Sequence, residues 1–342
     1  MPITPVRSRR LARSVRAAGA LAVAAALVAG LAACSGSASA ETAAPTGKVT
    51  IGAFSNGAAK ETTLSVPTVA KIRAELPASV REEGTLVIGV GDLPAGFPPL
   101  AFTGDDTKTQ TGSEPDLGRL IAAVFGLRPE IKPSTWDNLF VGIDSGRTHV
   151  GLSNITDTEK RKEKYDFASY RQDNLSFAVK KASKWNFDGD YRNLAGLKVA
   201  VGSGTNQEKL LQEWQSKLQS EGKTLDIVYF PDTGSTYLAL NSGQIDANFG
   251  PNPSAAYHAT QDAKSANPTR IAGTYSGAGE SLQGLIAATT KKDSGLVKPL
   301  ADAINYLIEN GQYDALLGAY NLENEAVKTS EINPPGLPIT NQ

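Results

Sequence analysis

Few residues in this sequence can do covalent chemistry. There is one cysteine, Cys34, and there are two histidines, His149 and His258. A single cysteine excludes an intramolecular disulfide and any cysteine-rich metal cluster. Two histidines are a poor basis for a metal site. No Gly-x-Ser-x-Gly, no His-Glu-x-x-His and no phosphate loop ending Gly-Lys-Ser/Thr occurs. An acid–base carboxylate is the one catalytic device left open. Non-covalent recognition has better material. Gly202-Ser203-Gly204 runs into Thr205-Asn206, where a helix begins, and Thr205 and Glu208 have capping-box spacing. Free amides and the helix dipole make such a start attractive to an anion. A dinucleotide fingerprint would need glycine where Gln207 stands, so nucleotide binding is set aside.

The ends of the chain carry other signals. Arg7, Arg9, Arg10, Arg13 and Arg16 form a basic start with no acid among them, and 17–33 is an uninterrupted small or apolar run. That run falls short of the roughly 20 apolar residues of a membrane helix and suits a signal-peptide core. It ends Leu31-Ala32-Ala33-Cys34, which resembles the lipobox of bacterial lipoproteins, where the thiol takes a diacylglycerol. The expectation is a signal peptide at 1–33, a lipidated Cys34 anchoring the chain to a membrane, and a flexible tether through 65. Residues 35–48 are rich in Ser, Ala, Gly, Thr and Pro, a composition that cannot bury enough apolar surface to order itself. Loss of 1–33 strips five arginines and no acid, leaving 29 basic against 35 acidic residues. A net charge near −6 argues against a nucleic-acid partner.

The remaining length suffices for two medium domains. A helical lead-in over 66–83, broken at Pro77, precedes the β-rich run 85–90. Pro94, Gly96, Pro98 and Pro99 then force an irregular loop. Leu117, Leu120, Ile121, Val124 and Phe125 fall at helical spacing, and Gly126 stops that helix. Further on, strands and helices alternate, which implies parallel strands with helices on both faces. Ser145-Gly146 and Ser242-Gly243 each end an apolar helix and lead into a strand, an echo that two similar α/β lobes would produce. Residues 198–201 read as a buried strand, 206–218 as a helix, 297–310 as a strong helix and 313–320 as a short one. The tail, 326–342, carries two adjacent prolines after Glu331 and reads as frayed from there.

Four stretches, in order, resemble the type 3 (polar amino acid) extracellular solute-binding proteins of ABC importers. They are Phe97-Pro98-Pro99-Leu100; Gly112 to Leu117; Thr158-Glu159-Lys160-Arg161 with Tyr165-Asp166-Phe167; and Leu194 to Val199 with Gly204-Thr205. The resemblance covers about 85–320. It implies an α/β, two-lobed periplasmic-binding-protein-like (type II) fold with a cleft between the lobes. Lobe 1 would comprise 66–178 and 283–325, lobe 2 would comprise 183–272, and the lobes would close on a solute by a hinge motion.

The resemblance also implies a site. Arg161 would hold a solute carboxylate, for which a guanidinium offers paired donors in a fixed plane. Thr156, Thr158, Thr205 and Asn206 would add donors. Phe97 and Trp136 would cover the two faces of the ligand, and Asp92 falls near a position that reads the ligand side chain in some members. The family usually places an aspartate for the ligand's ammonium about five residues after the Asp-Ala of the second lobe. Here Pro251 stands there, beside Asn252, and proline offers neither charge nor N–H. The expected ligand is therefore a small carboxylate-bearing solute, an amino acid or derivative, whose amine is absent, modified or held elsewhere, by Glu114 or Asn154. His149 reads as structural. The function implied is non-enzymatic: a monomeric, membrane-anchored, extracytoplasmic solute-binding protein without cofactor, working with an ABC permease and ATPase. A dehydratase-like enzyme on the same fold, or a surface sensor or adhesion lipoprotein, is the alternative.

Overall fold

The structure, a computed structural model, describes residues 47–339. The signal peptide and Cys34 lie outside the described residues. The first described elements already correct one expectation. Residues 48–65 are not a tether but a hairpin, β1 (Lys48–Ile51) against β2 (Thr62–Ser65), antiparallel. Val49 and Ile51 alternate inward into the main core. The Gly52 amide donates to the Asp116 carboxylate at 2.6 Å, and Thr111 Oγ1 donates to the Ala53 carbonyl at 2.8 Å. A four-residue strand offers only two inward positions, too few to stand out against a Thr- and Gly-rich background.

Short helices α1 (Ala70–Glu75) and α2 (Ala78–Glu83) replace the lead-in, divided at Leu76-Pro77. β3 (Thr85–Val90) follows, fully buried. A small ribbon, β4 (Phe102–Thr103) with β5 (Gln110–Thr111), leads to α3 (Ser113–Phe125). Its five predicted apolar positions are buried, and so are Glu114 and Asp116 in its first turn. β6 (Arg128–Pro133), α4 (Trp136–Asp144), β7 (Val150–Gly151) and β8 (Tyr165–Gln172) continue this lobe. The chain then passes through Asp173 into β9 (Asn174–Lys180), which belongs to a second sheet.

That sheet is built from β10 (Lys198–Ala200), β11 (Asp226–Val228), β12 (Ala247–Pro251) and β13 (Thr269–Ser276), with α5 (Asn206–Ser220), α6 (Thr233–Ser242) and α7 (Asn252–Gln261) between them. The chain returns through 277–284 into β14 (Leu285–Lys291), α8 (Val297–Glu309) and α9 (Gln312–Tyr320) of the first lobe.

The two sheets have one plan. The first is ordered β6-β3-β7-β14-β8 and the second β11-β10-β12-β9-β13. Four strands in each run the same way, and one crossover strand, β14 in the first sheet and β9 in the second, runs antiparallel between the last two of them. β9 pairs along its length with β12 and β13, so 174–178 and 273–276 belong to lobe 2, not to the first lobe or to a connection. Each lobe has its own apolar cluster, one around α3 and α8, the other around Phe177, Trp214 and Phe249.

The segment after α9 is a second correction. Ser330 and Leu337 are buried, and Ile332 and Leu337 form β-bridges to Ala168 and Thr158. The prolines that suggest fraying instead fix an extended course that takes its hydrogen bonds from neighbours.

Candidate functional site

In open α/β sheets, ligands bind in the crevice beyond the carboxyl ends of parallel strands. Here those ends face one another across the two lobes. Gly91 and Asp92 follow β3, Ser153 and Asn154 follow β7, Val201 to Gln207 follow β10, and Phe230 to Asp232 follow β11. Together with Trp136 and part of β12 and α7, they line a cavity of about 390 Å³, within the range of small-molecule sites.

Asp92 is the prominent acid in this lining. It is 5 % exposed, and neither carboxylate oxygen has a hydrogen-bond partner. Burial pushes its carboxyl up to about 6, with the Glu114 charge adding to the shift. Its backbone carbonyl accepts the Gly96 amide at 2.6 Å, which turns the Pro94–Gly96 loop over the cavity. Phe97 lines the same side.

Arg161 is not in the cavity lining; its guanidinium lies behind Trp136, which is. The Thr158 hydroxyl accepts the Arg161 amide at 3.1 Å, just ahead of the single turn 161–163. The guanidinium donates to the Thr156 carbonyl at 2.9 Å and, across the cleft, to the Gly204 carbonyl at 3.5 Å. It lies 5.4 Å from the ring centroids of both Trp136 and Phe140. Among the described residues it forms no ion pair. Burial brings it down to about 10, against the opposing field of Asp173. Trp136 Nε1 also donates to the Gly204 carbonyl, at 3.3 Å, so both residues clasp the opposite lobe at one atom.

Thr205 and Asn206 line the cavity, with the capping geometry the sequence predicts. Thr205 Oγ1 accepts the Glu208 amide at 3.2 Å, and Glu208 reaches back to the Gly204 amide at 2.6 Å. Asn206 Nδ2 donates to Asp173 Oδ2 at 3.2 Å and to the Gly277 carbonyl at 3.0 Å. The same Asp173 oxygen accepts the Thr156 hydroxyl at 2.7 Å. Thr156 is therefore fully buried and turned to the hinge, not to the cavity. The Thr158 hydroxyl is taken by the Arg161 amide, and Asn252 opens α7. None of these three lines the cavity.

Asn154 does line it, in a left-handed conformation with φ 47°. Its amide donates to Glu114 Oε1 at 2.6 Å, and Tyr170 OH donates to the same oxygen at 2.7 Å. Arg171 lies between Glu325, with which it pairs, the Asn154 carboxamide oxygen, and Glu114 at 3.8 Å. Glu114 is buried behind the lining and committed to this network, so it is not free to receive a solute amine. His149 is structural: Nδ1 accepts the Val87 amide at 3.2 Å and Nε2 faces Glu83 at 3.3 Å.

Sequence reasoning missed Gln207, Ser254 and Asp173. Gln207 and Ser254 are buried lining residues whose Oε1 and Oγ lack partners. Gln207 was legible as the residue after Asn206 at the same helix start. Asp173 and Ser254 carried no motif. Among the described residues, no cluster of His, Cys, Asp and Glu could hold a metal, and no helix is long and apolar enough to cross a membrane.

Comparison with known proteins agrees with this architecture. Residues 88–323 match the model of bacterial extracellular solute-binding proteins, family 3. The chain is 35% identical over 169 residues to the L-cystine-binding protein TcyJ of Escherichia coli K12, covering 49% of this chain and 59% of that protein. It is 26% identical over 267 residues to the arginine-binding protein ArgT of Corynebacterium glutamicum, covering 78% and 83%. An amino acid ABC transporter substrate-binding protein of Streptococcus pneumoniae, solved bound to L-arginine, superposes with a TM-score of 0.59 at 25% identity, covering 72% of this chain and 99% of that one. The chain belongs to the bacterial extracellular solute-binding proteins, family 3.

Proposed function

We propose that this chain captures a small amino-acid-like solute, carrying a carboxylate and a separate cationic group, by closure of its two lobes. The observation that carries this reading is an unmatched acid in the cavity lining with an unmatched arginine behind Trp136 of that lining. Asp92 has no partner for either oxygen, and Arg161 has no carboxylate. A shielded charge without a counter-charge is costly, and a zwitterionic solute would relieve both. Pro251 places no charge on its side, the Asp232 carboxylate is taken by the Ser235 amide and hydroxyl, and Glu114 is committed elsewhere, so the amine goes to Asp92. The neutral groups of Gln207, Asn206 and Ser254 take the polar remainder.

In this reading the protein works outside the cytoplasm, as a monomer held to the membrane through lipidated Cys34, and hands its cargo to a permease and an ATPase. It has no catalytic step. The test is thermal-shift titration of the full chain with L-arginine, L-cystine and L-glutamine. A solute at about 100 times its Kd adds about 2.7 kcal/mol of stability. Arg161→Ala and Asp92→Asn should each remove the shift. A full shift retained in either variant refutes the assignment of that end of the solute.

A further inference from the structure

The lobes are joined covalently at two places, Asp173 and 277–284. The segment after α9 touches both lobes as well. On lobe 1 it lies along β8, the free edge of that sheet. The Ser169 amide donates to the Glu331 carbonyl at 3.0 Å, the Asn333 amide to the Phe167 carbonyl at 2.9 Å, and the Phe167 amide to Asn333 Oδ1 at 2.8 Å. It then turns under the loop that carries Thr156 and Arg161. The Glu159 amide donates to the Leu337 carbonyl at 3.0 Å, and the Gly336 amide to Glu159 Oε1 at 2.9 Å. Lys162 Nζ reaches the Pro334 carbonyl. Gly336 is required there, because a Cβ would stand 2.4 Å from the Asp157 carbonyl oxygen. Leu337, 1 % exposed, enters the lobe 2 core. Lys209, one turn into α5, donates to the carbonyls of Pro338 at 2.5 Å and Ile339 at 2.9 Å.

We propose that 331–339 is a strap joining the two lobes, which holds the Thr156–Arg161 loop and the start of α5 in the closed arrangement. Its residues do not line the cavity, so they act by positioning and not by contact with solute. The loop it braces carries the guanidinium, and the helix it grips carries Asn206 and Gln207. A bond network that spans both lobes favours the conformation in which it is complete, and a conformation that is only partly populated lowers apparent affinity by that fraction. The inference does not depend on which solute is bound.

The test reads the distance between lobes without solute. Cys34 is the only cysteine, so a full chain carrying Cys34→Ser accepts spin labels at two chosen sites alone. Val141→Cys on α4 and Leu238→Cys on α6 are exposed and sit on opposite lobes. The unaltered strap should give one narrow separation. Leu337→Asp and Gly336→Val should each add a longer population, and Lys209→Met, which leaves every core intact, should do so more weakly. Where a solute is known, a closed fraction reduced to a tenth weakens affinity about tenfold. Circular dichroism of each variant establishes that the lobes remain folded. Folded variants with the unaltered separation would overturn the strap. Failure of the solute assignment would leave this distance unchanged, so the two readings fail separately.

Discussion

Replacing Asp92 with asparagine should make the empty protein more stable while destroying its use. The carboxyl is 5 % exposed, without a hydrogen-bond partner, and pushed from 3.8 to about 6 by burial. The folded state therefore resists ionisation that the unfolded chain accepts freely. The sign follows from linkage: a carboxyl raised on folding costs nothing below pH 3.8, and its cost grows as pH rises to about 6 and is constant beyond. Two units at 1.36 kcal/mol each give about 3 kcal/mol at pH 7.5 and about 0.5 kcal/mol at pH 4. Asparagine keeps the shape and removes the charge. Urea denaturation of the solute-free variant and parent at both pH values measures the difference. Asp92→Asn should gain about 3 kcal/mol at pH 7.5, lose most of that gain at pH 4, and bind no cationic solute at either. An equal gain at both pH values, or none at pH 7.5, would refute the claim that Asp92 is an uncompensated charge waiting for a partner. A site that stores instability for its ligand is the usual trade of stability against function.

Two further outcomes follow from the same reasoning. Arg171→Met should cost about 3–5 kcal/mol in thermal or urea unfolding, because it strands the carboxylates of Glu114 and Glu325, both buried; adding Glu325→Gln to that variant should restore part of the loss. Ile51→Ala, in the hairpin that composition hides, should cost about 2–5 kcal/mol, since Ile51 is fully buried in the lobe 1 core; a negligible cost would mean that the hairpin is an appendage.

Periodic signals in this sequence are legible, and isolated ones are not. The helices at 113–125, 206–220 and 297–309 announce themselves by apolar spacing and stop signals, and the Thr205–Glu208 cap is legible from two residues. β1 and the strap are short and lie in Thr-, Gly- and Pro-rich surroundings. Their order comes from partners far along the chain, 64 residues for Gly52 with Asp116 and 166 residues for Asn333 with Phe167. No local pattern contains that information. The site divides in the same way. Asp92, Phe97, Trp136, Asn154, Thr205 and Asn206 reach the cavity because each follows a strand or opens a helix at its rim. Thr158 stands at a comparable position in the chain but turns its hydroxyl to the Arg161 amide, and Asn252 opens α7 without entering the lining. Chain position places a backbone at the rim; only the neighbours decide which way a short polar side chain turns.

The hinge explains why so many charges are hidden near it. Asp173 donates its amide to the Gly284 carbonyl at 2.7 Å and accepts the Gly277 amide at 2.9 Å, so the two crossing segments are stitched together where they pass. A Cβ on Gly277 would stand 1.7 Å from Asp173 Oδ2, and the close approach that results leaves the carboxylate between Thr156 of one lobe and Asn206 of the other. One oxygen thus reads the position of both lobes. Burial lifts this carboxyl to about 6, and the hydroxyl, the amide and the Arg171 charge oppose that lift. Those compensating donors belong partly to each lobe. In the proposed closing motion, opening the cleft would separate Thr156 from Asn206 and leave the carboxylate with fewer of them, so this acid would favour closure as Asp92 would favour the proposed solute: each is a charge whose partners are complete in one arrangement only.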